Sequence, residues 1–285
     1  MTDRWSAWIT GTAACLTVAV LAWIAADLIR GVGVVRWQFF VHGPEDFGRG
    51  GGVAPMIVAS LWLVLISWAV VIPLGILAAT ALVVGRLHQW PGLRWVEWAL
   101  DLLAATPSVV IGLFGNAFFC VALGLGFSLL AGGLTLGCMT LPLFVRTTQI
   151  GLQAAVTQHY ATASALGLAL PTTLLRIVLP AAGPAMSAAL ILATGRSLAE
   201  TAALIFTSGY VPRMPLSAFD SGRSLSVHVY DLAMNVSGGD QAARGTALVL
   251  VVLLLAINAA SRLLLGQHGI GILHSVNVGR SNTRA

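Results

Sequence analysis

The sequence has no lysine; all 15 of its basic residues are arginine. A Walker A loop needs a lysine on the nucleotide phosphates, so the chain does not hold ATP in that way. Schiff-base catalysis by a lysine amine is excluded with it. Charge of either sign is scarce. Only 9% of the 285 residues are charged, against about 25% in a soluble domain. Cysteine is scarce too. Cys15, Cys120 and Cys138 all lie in apolar runs, with no CxxC or Cys/His spacing. Neither a disulfide framework nor a zinc site is indicated, and the three read as small buried hydrophobes. No GxSG or HExxH stretch and no paired acids within an apolar run appear. An intramembrane hydrolase would need such a set.

What remains is apolar: 58% of the chain is hydrophobic. Six long runs cover about residues 11–29, 54–84, 96–125, 127–144, 184–206 and 246–265. Runs of this length read as membrane-spanning helices. The expected fold class is therefore all-α, polytopic, with about six transmembrane helices. Residues 1–10 form an N-terminal segment, 11–266 the transmembrane domain and 267–285 a tail. The first run is too long for a signal-peptide core and reads as an uncleaved helix. Six spans put both ends on one side. The net charge of +5 comes from arginines scattered among connectors, which suits membrane orientation and contact with lipid, not nucleic acid.

Some positions interrupt this pattern. Pro107, in the third run, removes a backbone donor and predicts a kink within that span. Gly133 and Gly137, in the fourth, form a small-xxx-small pair that lets two helices approach closely. Arg196 and Glu200 lie four residues apart in the fifth, hence on one face of a continuous helix. An arginine at the centre of a bilayer costs about 2.5–3.5 kcal/mol. Two readings stand side by side: a structural ion pair, or an arginine facing a path with Glu200 as its resting counter-ion. The arginine fork suits the oxygens of an oxyanion. Ser108 and Thr201 join them as candidate path hydroxyls. The connector at 207–243 is too long for a simple turn and has room for a short helix at 227–234. Its Ser226, His228 and Asp231 sit within six residues on that helix and cannot take triad geometry.

Residues 160–180, YATASALGLALPTTLLRIVLP, are a semi-polar break between apolar runs. Gly167, then Ile177, then Leu179-Pro180 give a fixed spacing. This segment resembles the cytoplasmic coupling loop of ABC-transporter permeases, whose pattern is Glu-Ala-Ala, three residues, Gly, nine residues, Ile-x-Leu-Pro. The Glu-Ala-Ala positions are here Ala161, Thr162 and Ala163. The helix formers of 161–170, with Pro171 suited to a first turn, predict two short helices here, the first over 161–170. The resemblance implies that Tyr160, Ala161, Ala163, Gly167, Ile177, Leu179 and Pro180 meet an ATPase subunit at 160–177 in the cytoplasm.

The segments TPSVVIGLFG, LPLFVRTTQIGL and GRSLAETAALIFTSGY narrow the likeness. Together they resemble the PstA-type permease subunits of phosphate ABC importers, over most of residues 50–235. The resemblance implies a type I importer permease fold in the bacterial inner membrane, forming half of a phosphate path. It implies a PstC-type second permease, a dimer of PstB-type ATPases and a PstS-type phosphate-binding protein as partners. It implies no cofactor of its own, since ATP belongs to the partner, and no enzymatic activity. An importer of another oxyanion such as sulfate or molybdate, or a passive anion channel, remains an alternative.

Overall fold

A computed structural model describes residues 2–278. Met1 and residues 279–285, part of the expected tail, lie outside the described residues. The architecture is helical: α1 (Thr2–Arg30), α2 (Trp37–Val41), α3 (Ala54–Leu87), α4 (Leu93–Ala105), α5 (Ser108–Gly115), α6 (Leu129–Ala165), α7 (Leu170–Thr173), α8 (Leu179–Ala181), α9 (Gly183–Ala199), α10 (Ala202–Ile205), α11 (Leu225–Met234) and α12 (Asp240–Val278). A two-stranded hairpin, β1 (Pro44–Glu45) and β2 (Gly50–Gly51), pairs antiparallel between α2 and α3.

Four helices are long and apolar enough to cross a membrane, and two bent pairs bring the number to six if each pair is one span. The pair α4 and α5, with a π-helical continuation at Asn116–Ala122, turns by 104°; α7–α8 and α9 turn by 60°. The first angle corrects the expected kink. Thr106 is extended at φ −71°, ψ 129° and Pro107 follows at φ −58°, ψ 141°. A proline forces its predecessor out of the helical region. The helix breaks there instead of bending, and the freed polar groups need water or protein, never lipid.

The core is built on α3 and α6, which run side by side in the same direction. Ala59 and Leu63 pack with Leu129 and Leu136 at one end, and Leu82 and Val83 with Leu152 and Ala155 at the other. The contact is close because glycines line it. A Cβ on Gly133 would stand 2.6 Å from Ile66 Cβ, and one on Gly75 would strike the Phe144 ring. The expected small-residue approach is thus present, with Ile66 and Val70 of α3 as partners of Gly133 and Gly137.

At its start α6 is tied to the 206–224 connector. Ser128 caps it by accepting from Ala131 N. Leu129 and Leu130 donate to the carbonyls of Asp220 and Ala218 at 2.9 and 2.7 Å. These bonds satisfy amides that a helix start otherwise leaves free. The opposite end corrects another expectation. The helix does not stop near residue 144 but runs 37 residues to Ala165, so 161–165 belong to it and not to a separate short helix.

α1 stands apart. Apart from Gly31, which follows it and touches the backbone of Arg244, it meets the bundle through Asp27, which accepts from Arg244 Nε at 3.2 Å. Cys15 is exposed on this helix, Cys120 is buried and Cys138 half-buried; the expected burial of all three fails for Cys15.

Candidate functional site

The 160–180 segment begins as the last turn of α6. Its apolar pattern turns Tyr160 and Ala163 inward: Ala163 is buried and Tyr160 packs on the cluster of Leu82, Leu152 and Val178. Ala161 is exposed. The helix ends at Gly167, whose φ of +72° is left-handed. Leu168 N donates to Ala163 O at 3.1 Å and Gly167 N to Ser164 O at 3.0 Å. This is the Schellman closure of a helix C-terminus, which favours glycine for its freedom at positive φ. A Cβ at 167 would meet no atom within 4 Å, so backbone conformation, not space, selects the residue.

Beyond Gly167, Pro171 occupies the first turn of α7. Leu179 leans on the same core cluster, Val178 beside it is fully buried, Ile177 is half-buried and Pro180 exposed. Leu166 at 73% and Leu175 at 66% stand free. The segment is therefore a bracket with an apolar inner face anchored to the bundle and an outer face carrying unpartnered leucines. α9 starts directly from this bracket. Its Ala185 sits so close to Gly151 of α6 that a Cβ there would collide.

Arg196 lies in the last turn of α9. Its side chain is exposed and lines a cavity of about 300 Å³ with Leu103, Ala104, Met139, Pro142, Leu143 and Arg146. Among the described residues no hydrogen bond or ion pair to Arg196 exists. The expected pairing with Glu200 is corrected. α9 ends at Ala199 and Glu200 is extended, at φ −73°, ψ 129°. The two do not share a helical face. The Glu200 carboxylate instead accepts from Ala203 N at 3.3 Å, capping α10, and its carbonyl accepts from Ser226 Oγ at 2.6 Å. Thr201 and Ser108 are half-buried and neither lines the Arg196 cavity.

The second cation of the cavity, Arg146, was not among the residues singled out from sequence. It donates through Nη2 to Asp101 Oδ1 at 2.6 Å and to the Glu97 carbonyl at 3.3 Å, and through Nη1 to Gln149. Its signal in the sequence is an arginine four residues past Pro142, at a point where apolarity falls but helix continues. Among the described residues the Arg196 guanidinium keeps its five N–H donors free, while Arg146 already gives three bonds, to Asp101, Glu97 and Gln149. Two guanidiniums side by side suit an oxyanion better than a cation.

The Ser226, His228 and Asp231 trio does not form a relay. Ser226 Oγ contacts Ser224 Oγ and the Glu200 carbonyl, and His228 Nδ1 faces Arg223. The expected helix at 227–234 is present as α11.

The pattern of the family described as binding-protein-dependent transport system inner membrane component matches residues 71–268. The probable ABC transporter permease protein YqgI of Bacillus subtilis is 27% identical over 281 residues, 92% of this chain and 94% of that one. The phosphate transport system permease protein PstA of Mycobacterium leprae is 30% identical over 256 residues, 87% of this chain and 83% of that one. Among solved structures, a chain of the inward-facing MetNI methionine ABC transporter superposes with a TM-score of 0.59 at 15% identity, covering 75% of this chain and 96% of that one. The fold is that of type I ABC-importer permeases.

Proposed function

Because the chain belongs to the family of binding-protein-dependent transport inner-membrane components, we propose that it is the permease subunit of an ATP-driven phosphate importer, supplying half of the path. It is a multi-pass membrane protein and a transport subunit, not an enzyme; hydrolysis is done by a separate ATPase. The likeness to the phosphate permease of Mycobacterium leprae supports the choice of ion. The observation that carries it is the Arg196–Arg146 cavity, whose uncommitted guanidinium faces a surface that lipid cannot cover cheaply. A PstC-type permease closing over that surface would complete the path.

The 160–181 bracket faces the cytoplasm in this reading and receives a PstB-type ATPase dimer, with Leu166 and Leu175 filling an apolar groove. Closure of the ATPases pushes the bracket. α9 leaves the bracket directly and is wedged against α6 at Gly151, so the push arrives at Arg196 in its last turn. A PstS-type protein delivers phosphate at the Leu129 end, in the bacterial inner membrane.

The test is Arg196→Gln in the reconstituted complex. Phosphate uptake falls to background while assembly and basal ATP hydrolysis persist; unchanged uptake would falsify the role. An arginine fork binds any tetrahedral oxyanion, so sulfate or molybdate is the second reading. Competition of each anion against labelled phosphate separates them. Uptake that continues without the ATPase would mark a passive channel.

A further inference from the structure

A second cavity, of about 390 Å³, lies at the other end of the bundle from the bracket. Gly48 of the β1–β2 hairpin, Pro212, Arg223, His228, Asp231 and Asn235 line it. It shares no lining residue with the Arg196 cavity.

Hydrogen bonding here is one-sided. Arg223 donates through Nε to the Tyr210 carbonyl at 3.1 Å and through Nη1 to Asp231 Oδ2 at 2.7 Å, with its guanidinium 4.9 Å from the Tyr210 ring centre. The other Asp231 oxygen accepts from Asn235 Nδ2 at 2.9 Å. Both carboxylate oxygens are therefore engaged. A guanidinium has only donors, so in its 3.3 Å contact with His228 Nδ1 the imidazole nitrogen accepts. That places the proton of the neutral ring on Nε2. His228 is only 1% exposed, and Nε2 has no hydrogen-bond partner. A buried donor without an acceptor costs about 1–3 kcal/mol. Arg223 Nη2 likewise makes no hydrogen bond among the described residues. The buried His228 Nε2 and the half-buried Arg223 Nη2, both left without a partner, are both donors, while the acceptor Asn235 Oδ1 lies at the exposed rim.

We propose that Arg223 and His228 form an oxyanion subsite at this end of the bundle, which takes inorganic phosphate on its way to the Arg196 cavity. The neutral imidazole serves as a fixed N–H donor, because burial and then the Arg223 charge keep it from protonating until about pH 4. Asp231 does not repel the ligand outright, since Arg223 balances its charge at 2.7 Å. The turn Asp46-Phe47-Gly48 covers the donor. A Cβ on Gly48 would stand 2.9 Å from His228 Cε1 and 3.5 Å from Nε2, so this turn shifts when a ligand reaches the ring. The subsite rests on the transport reading only for the choice of phosphate among oxyanions.

The experiment uses the full chain with ¹⁵N-labelled histidine in dodecyl maltoside, whose micelles contain no phosphate. It is titrated separately with inorganic phosphate, sulfate, chloride and phosphatidylglycerol. The His228 Nε2 resonance shifts saturably with phosphate and not with chloride. Arg223→Lys, which keeps the charge but loses the fork, weakens the phosphate midpoint by about tenfold. A shift with sulfate alone keeps the subsite and overturns phosphate as its ligand. A response to neither oxyanion overturns the subsite, and so does a response to phosphatidylglycerol alone, which would assign the cavity to a lipid headgroup. The readout is binding, so a failure of uptake with this shift intact would count against the transport reading and not against the subsite.

Discussion

Leu168 donates its backbone N–H to the carbonyl of Ala163, closing α6 around a left-handed Gly167. An alanine in this conformation costs about 1–2 kcal/mol. Gly167→Ala therefore frays the helix end, seen as faster proteolysis at the bracket, with a partial drop in uptake. Gly167→Glu adds bulk and charge to the outer face and abolishes uptake while membrane abundance, read by immunoblot, stays normal. Normal uptake by that variant would remove the bracket from the coupling role.

Arg196 and Arg146 line one cavity but differ in what holds them. Arg196→Gln breaks no internal bond and leaves the unfolding temperature unchanged. Arg146→Gln loses the Asp101 pair, whose side chains are 33% and 65% exposed, so screening limits the loss to about 1 kcal/mol or less. Both variants lose uptake. Thermal unfolding in detergent beside uptake in proteoliposomes separates the two kinds of loss.

His228 makes stability depend on pH. Its pKa falls from 6.5 to about 4 on folding, through burial first and Arg223 second, with Asp231 opposing. Between these values the unfolded chain binds the extra proton, so stability drops as pH falls through the window. At pH 5 the folded state is weakened by on the order of 2 kcal/mol relative to pH 7. His228→Gln flattens this part of the profile. An identical pH profile in the variant would show that the imidazole is not the group responsible.

The glycine seam sets how closely α3 and α6 approach. Gly133→Leu drives a side chain into Ile66 Cβ, 2.6 Å from the Cβ position, and costs about 1–3 kcal/mol. Ile66→Ala in the same chain restores part of the loss. Additive effects in the double variant, measured by thermal unfolding, would mean that the two positions do not touch.

The run lengths in the sequence point to the four continuous spans, because a membrane demands about twenty apolar residues whatever the tertiary fold, but not to the bends in the other two runs. Helix ends were less legible. α6 passes residue 144 because Thr147, Gln149 and Gln153 end the apolarity without ending the helix; hydropathy reports the solvent, not the backbone. The break at Glu200 has no proline or glycine to announce it. It is held by Ser226 Oγ, 26 residues away, and no local pattern contains that bond. The Arg196 face was misassigned for the same reason. Arg146 was overlooked because only the third dimension sets it beside Arg196. Gly167, by contrast, is legible on its own, since a positive φ at a helix end is a local demand.

With 37 residues, α6 is about 55 Å long and carries Pro142 near its middle. Its first turn is bonded to the connector that carries Asp220, and its last turn ends in the Gly167 closure. Pro142, which has no N–H to give the preceding turn, is where that shaft can bend. A swing imposed at the bottom therefore reaches the top only as far as the turn at Pro142 stays straight.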